Sequence, residues 1–245
     1  MKKLLSAATV TMLVGILTSI AMATPSTTFW TPCTLDFQPA NQTHITYDTY
    51  NRFGNPTTDN VPAFPVDYGL TKGAAFKNGL AFEYGVDFMV PTKNPAYFNV
   101  KVGYPELTLK PWAPALEIGI FNVGTKAGQT NQDVVYFLVG RSLPNNLGRL
   151  SAAYYVGNKT ALGFGDTVNS IDNTGAMVAY DKVLIKDKVV FAADWATGTN
   201  AIGGGGAGLY YYFTPNIDLL AGPVWFNDKE INGKMKFTVQ CDINY

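Results

Sequence analysis

The sequence predicts an all-β protein, an antiparallel transmembrane β-barrel of about twelve strands. Three observations carry this. Apolar and polar residues alternate singly through most of the chain. Charged residues make up 15% of the 245 residues while aromatics reach 13%, against a charged fraction of roughly 25% in ordinary soluble domains. The chain also opens on a segment of export type. The same composition excludes other classes. With 18 basic and 18 acidic residues the net charge is zero, so there is no basic excess to neutralise a phosphate backbone, and no nucleic-acid partner is expected. An apolar share of 47% is too high for a disordered chain. Two cysteines and one histidine build neither a disulfide scaffold nor a zinc module. No metal or cofactor is implied.

Met1-Lys2-Lys3 gives a short positive start, Leu4 to Ile20 is mostly apolar, and Ala21-Met22-Ala23 supplies a small-x-small cleavage pattern. Residues 1–23 read as a secretory signal peptide. Its removal leaves a mature chain from Thr24 with a net charge of −2, since Lys2 and Lys3 go with it. No later window carries the roughly 18 unbroken apolar residues of a membrane helix. The exported chain is then either a soluble β-sandwich or a membrane β-barrel.

The last residues favour the barrel. Phe237, Val239, Cys241, Ile243 and Tyr245 fall on one face, and Thr238, Gln240, Asp242 and Asn244 on the other. A strand with one apolar and one fully polar face suits lipid outside and a wet lumen inside. This segment resembles the C-terminal strand of Gram-negative outer-membrane proteins, which end in an aromatic, usually Phe, after alternating apolar residues. Tyr245 is a mild departure. The wider resemblance, over residues 44–245, is to porin-like barrels.

Other segments repeat the alternation, among them Phe82-Tyr84-Val86-Phe88, Phe98-Val100-Val102-Tyr104 and Leu150-Ala152-Tyr154-Val156. Twelve strands are expected at 44–53, 64–72, 79–89, 96–105, 115–124, 132–141, 148–157, 175–184, 188–196, 205–213, 216–226 and 235–245. The facing of 132–141 and 175–184 stays open, because they alternate poorly. Twelve strands leave each enough chain for a tilted membrane strand of about 9–11 residues and a connection. The expected organisation is signal peptide 1–23, N-terminal extension 24–43 and barrel 44–245. The extension could lie across the periplasmic mouth, add to the first strand or occlude the lumen. With the C-terminus periplasmic, an even count puts the shorter turns inside and most longer loops outside. Tyr50, Tyr68, Tyr84, Tyr104, Trp195 and Trp225 near strand ends suit the headgroup level.

The alternation points Asp48, Asp67, Glu83, Asp87, Glu117, Asp194, Asp218 and Asp242 into the lumen, with Lys101 and Arg149 as basic counterparts. Hairpin register predicts an inner belt of Asp48, Asp67, Glu83, Lys101 and Glu117. One reading is a structural ladder in which Lys101 bridges two carboxylates. The other is a cation-preferring constriction. Cys33 and Cys241 lie in an oxidising compartment and could pair, since the last strand of a closed barrel neighbours the first. Gly203-Gly-Gly-Gly206 lacks the Lys and Ser/Thr of a phosphate loop. It reads instead as a loop entering a strand whose small inner face admits a close approach. His44 could serve as a base, as in barrel-embedded phospholipases and deacylases, but no serine sits beside it in strand register, so no catalytic residue is assigned.

The resemblance implies a passive outer-membrane pore for small hydrophilic solutes, with lipid and solute as partners and the oligomeric state open. Two alternatives stand beside it: a closed barrel serving as a structural or surface-binding module, and an outer-membrane lipid hydrolase.

Overall fold

The computed structural model describes residues 26–52, 66–163 and 171–245. The expected signal peptide 1–23 lies outside these residues. Twelve strands follow in order: β1 Thr43–Arg52, β2 Val66–Ala75, β3 Ala81–Val90, β4 Ala96–Tyr104, β5 Ala115–Gly124, β6 Asn131–Ser142, β7 Arg149–Val156, β8 Thr174–Ile185, β9 Val189–Ala196, β10 Gly204–Thr214, β11 Ile217–Phe226 and β12 Lys236–Asn244. Each pairs antiparallel with its chain neighbours, and β1 pairs with β12, from His44 opposite Asn244 to Arg52 opposite Lys236, closing the barrel. No edge is left to pair with another chain. Among the described residues no helix is long and apolar enough to cross a membrane.

Burial is inverted relative to a soluble protein. On β12, Thr238, Gln240, Asp242 and Asn244 are buried while Ile243 is exposed. On β7, Ser151, Ala153 and Tyr155 are buried while Leu150, Tyr154 and Val156 are exposed. An apolar outer wall and polar inner wall give most strands the two-residue period seen in the sequence. Tyr68, Tyr84, Trp195 and Trp225 stand on the outer wall as expected. Tyr50 does not. It shares the inward face of β1 with Asp48 and packs edge-on against Trp30, with ring centroids 5.6 Å apart.

The lumen is filled from within. Residues 26–38 form a loop across it, and its two ends meet on one side chain. Glu83 on β3 accepts from the Ser26 amide at 2.9 Å, the Ser26 hydroxyl at 2.7 Å and the Gln38 amide at 2.8 Å. The tip reaches Asp194 on β9, six strands away around a ring of twelve and so on the opposite wall. The segment then leaves along β2, where Ala40 bridges to Gly73. A Cβ on Gly73 would lie 1.7 Å from the Gln38 carbonyl oxygen, so only glycine permits this exit.

This filling explains the two strands whose alternation was weak. On β6 the inward Val134, Tyr136 and Leu138 are as apolar as the outward Val135, Phe137 and Val139. They pack with Cys33 and Leu35 of the crossing loop, together with Ala153, Tyr155, Met177 and Ala179, in one buried cluster. A barrel wall that meets its own chain instead of water has no reason to be polar, and the period-two signal disappears there.

The glycine run of β10 has the same cause. Gly206 and Gly208 face inward, and a Cβ on either would lie 2.2 or 2.5 Å from the Phe29 ring. They form a slot in which Phe29 is 1% exposed, a burial that contributes about 1.5–3 kcal/mol. Gly206→Val is expected to eject the tip at a cost of about 1–3 kcal/mol. Limited proteolysis of the folded variant would show new cuts within 26–42; an unchanged digestion pattern would refute the slot.

Candidate functional site

The inner wall is strongly acidic. Asp48, Asp67, Glu83, Asp87, Glu117, Asp181, Asp194, Asp218 and Asp242 are buried on it, against the buried lysines Lys101 and Lys236. All eight carboxylates expected from the alternation are there. Asp181 was not anticipated, because it lies on β8, whose facing the sequence left open.

The belt expected from hairpin register divides in two. Glu83 lies opposite Lys101 across β3 and β4, and Lys101 Nζ is 3.8 Å from Glu83 and 3.7 Å from Glu117. Glu117 reaches it diagonally, since Gly119 is the residue directly opposite Lys101. Asp48 and Asp67 face one another across β1 and β2. Asp67, however, lies opposite Met89, and Glu83 opposite Gly73. The turn between β2 and β3 falls later than the sequence suggested, because β2 runs on to Ala75. That shift separates Asp67 from Glu83 and brings it diagonally close to Asp87 instead. The result is an outer group of Asp48, Asp67 and Asp87 and a deeper group of Glu83, Lys101 and Glu117.

The crossing loop is tied to this wall by charge. Asp194 Oδ2 accepts from three successive backbone amides, Phe29 at 2.9 Å, Trp30 at 2.8 Å and Thr31 at 2.7 Å, and from the Thr31 hydroxyl at 3.1 Å. Arg149 on β7 holds Asp36 through two parallel bonds of 2.6 Å and Asp181 through its Nε at 2.8 Å. Such paired guanidinium–carboxylate bonds are directional as well as strong. Lys101 also donates to the Asp36 carbonyl and lies 4.7 Å from the centre of the Phe37 ring. The deeper charge group therefore clamps the protein's own loop. Tyr210 and Gln240 add bonds to the Thr28 and Phe29 carbonyls.

Cys33 and Cys241 are not joined. Cys33 lies buried in the lumen, where Ser151 Oγ donates to its carbonyl at 2.8 Å. Cys241 alternates with the inward Gln240 and Asp242, so it faces outward on β12. The strand wall separates the two thiols. In folded protein a maleimide is expected to label Cys241 and leave Cys33 unreacted until the barrel is unfolded; prompt double labelling would contradict this placement.

His44 sits at the end of the barrel that carries both chain termini of the sheet. Its Nδ1 is 3.0 Å from Asn244 Oδ1 and its Nε2 is 3.3 Å from Asp242 Oδ1. Among the described residues no serine hydroxyl bonds to it. Asp242 lies opposite Asp218, which completes a buried polar cluster.

Toward the other end, beside the loop tip, lies a cavity of about 100 Å³, lined by residues of β1 to β6, by Met177 of β8 and Gln240 of β12, by Ala201, Ile202 and Asn232, and by Thr27 and Phe29 to Pro32. The neighbouring loops fold inward, with Leu162, Ile171, Ala201, Ile202 and Ile231 buried. A break in register on β5 carries Phe121 and Asn122 in succession to the cavity wall, Asn122 having φ +55°.

No protein-family model and no curated protein sequence matches this chain. Solved structures do share its fold. A KdgM porin in complex with disordered oligogalacturonate matches with a TM-score of 0.53 at 9% identity, over 83% of this chain and 99% of that one. A NanC porin in a rhombohedral crystal form matches with a TM-score of 0.53 at 8% identity, over 83% and 98%. A second KdgM porin structure gives 0.51 at 11% identity, over 83% and 99%. The chain has the closed twelve-stranded fold of porin-like outer-membrane β-barrels.

Proposed function

We propose that the protein is an outer-membrane channel for passive passage of small hydrophilic solutes, that it prefers cations, and that the residence of residues 26–38 in the lumen sets its conductance. The carboxylate excess on the inner wall carries this reading. One similar porin was solved with oligogalacturonate, an acidic oligosaccharide. A wall with nine buried carboxylates repels such a polyanion and concentrates cations instead. Lys101 is engaged with Glu83 and Glu117, and Arg149 with Asp36 and Asp181. They hold the crossing loop and are not free to select anions.

Planar bilayers containing the purified protein, in a tenfold potassium chloride gradient, test the preference. The expected reversal potential has the sign of a cation-selective pore. An anion-selective sign would sink the proposal.

A second reading, a permanently closed barrel with a structural or surface-binding role, draws on the loop that spans the lumen from Glu83 to Asp194. It predicts electrical silence for every folded variant, including those that release the loop. Catalysis by His44 has less support, because both ring nitrogens face side chains of β12.

A further inference from the structure

We infer that the cavity beside the loop tip is a binding site for a small organic ammonium ion. Three of its lining residues are the outer carboxylates Asp48, Asp67 and Asp87, and among the described residues no lysine or arginine lines it. Asp48 Oδ1 takes a 2.6 Å bond from Thr46, and Asp87 Oδ2 one of 2.6 Å from Asn99. Asp67, 7% exposed, has its Oδ1 buried without a hydrogen-bond partner.

A second orphan points to the same ligand. Gln240, 1% exposed, also lines the cavity. Its Nε2 donates to the Phe29 carbonyl and to Thr238 Oγ1, both at 3.3 Å, which fixes the orientation of the amide. Its Oε1 is then left buried without a partner. Both orphans are acceptors, and a buried acceptor without a donor costs about 1–3 kcal/mol. The site therefore calls for a ligand that brings N–H donors and positive charge.

The rest of the wall decides which cation. Among the described residues no group of three acidic, histidine or cysteine side chains is arranged to hold a metal ion. Trp30, Tyr50, Tyr97 and Phe121 supply aromatic surface instead, which attracts ammonium groups and covers alkyl carbons. A volume of about 100 Å³ suits a ligand of a few heavy atoms and excludes an oligosaccharide. The inference names a solute class for the proposed channel and rests on that reading only for transport; binding stands by itself.

Isothermal titration of the full folded protein in detergent micelles at pH 7 tests it, with ethanolamine hydrochloride as probe and ethylene glycol as its neutral counterpart. Ethanolamine is expected to bind at one site with millimolar or tighter affinity, and ethylene glycol at least tenfold more weakly. Asp67→Asn should weaken ethanolamine about tenfold or more, as the loss of one charged partner implies. Asp48→Asn serves the same comparison if Asp67→Asn does not fold, folding being read from heat-modifiable migration. Absence of ethanolamine binding, equal binding of ethylene glycol, or undiminished binding by the folded variant would overturn the site. Bilayer conductance is read separately. A silent barrel that binds ethanolamine refutes the channel alone, and a conducting barrel that does not bind it refutes the site alone.

Discussion

Asp194→Ala is expected to raise the ionic conductance of the reconstituted barrel by at least tenfold. The Asp194 carboxylate holds the tip of the crossing loop through four donors, three of them consecutive backbone amides. Each hydrogen bond to a charged group contributes about 1.5–3 kcal/mol, so losing even the weakest of the four shifts the balance between seated and released tip by tenfold or more. The Arg149–Asp36 pair and the closed strand pairing remain, so release of the tip leaves the barrel wall intact. Single-channel recording reads the effect, with Asp218→Asn as the control. Asp218 lies opposite Asp242 on the inner wall and takes no part in the bonds that hold the loop, so it removes a carboxylate without freeing the segment. Equal conductance in wild type and Asp194→Ala would show that the tip is not the gate.

Lys101→Met is expected to destabilise the folded protein by about 3–5 kcal/mol. Lys101 is 1% exposed and stands between Glu83 and Glu117, both almost fully buried. Removing one member of a buried charge group leaves its partners uncompensated, and that penalty exceeds the worth of the pair itself. Here two carboxylates lose their shared cation, and Glu83 must still accept from Ser26 and Gln38. Urea titration followed by heat-modifiable migration would read the loss. Adding Glu117→Gln to Lys101→Met should recover part of it, by removing one of the stranded charges. A double variant as unstable as the single one would show that the lysine acts through packing against Phe37 and not through charge.

These two residues mark how far the sequence could be read. The two-residue period marked ten of the twelve strands and placed Asp194 and Lys101 on the inner wall, because each side of the sheet meets a different medium and the side chains record which. It also gave the Glu83–Lys101 pair, since a short hairpin fixes its own register. It set Asp67 beside Asp48 but could not give its neighbour on β3, because a shift in the β2–β3 turn moves every partner along the strand. Nor could it show that Asp194 binds backbone amides, since a carboxylate facing water and one capping a loop look alike in a sequence.

Periodicity and composition alone determined the barrel, its strand order and the sign of its inner wall, all local consequences of alternating side chains. The tertiary structure alone decided what fills the lumen. Residues 26–38 carry no period, and their place follows from contacts with strands far away in sequence: Glu83, Arg149, Asp194, Tyr210 and Gln240. The apolar inner face of β6 and the glycines of β10 were visible as irregularities. Their meaning needed the segment that packs against them, because complementarity between two surfaces exists only once both are in place.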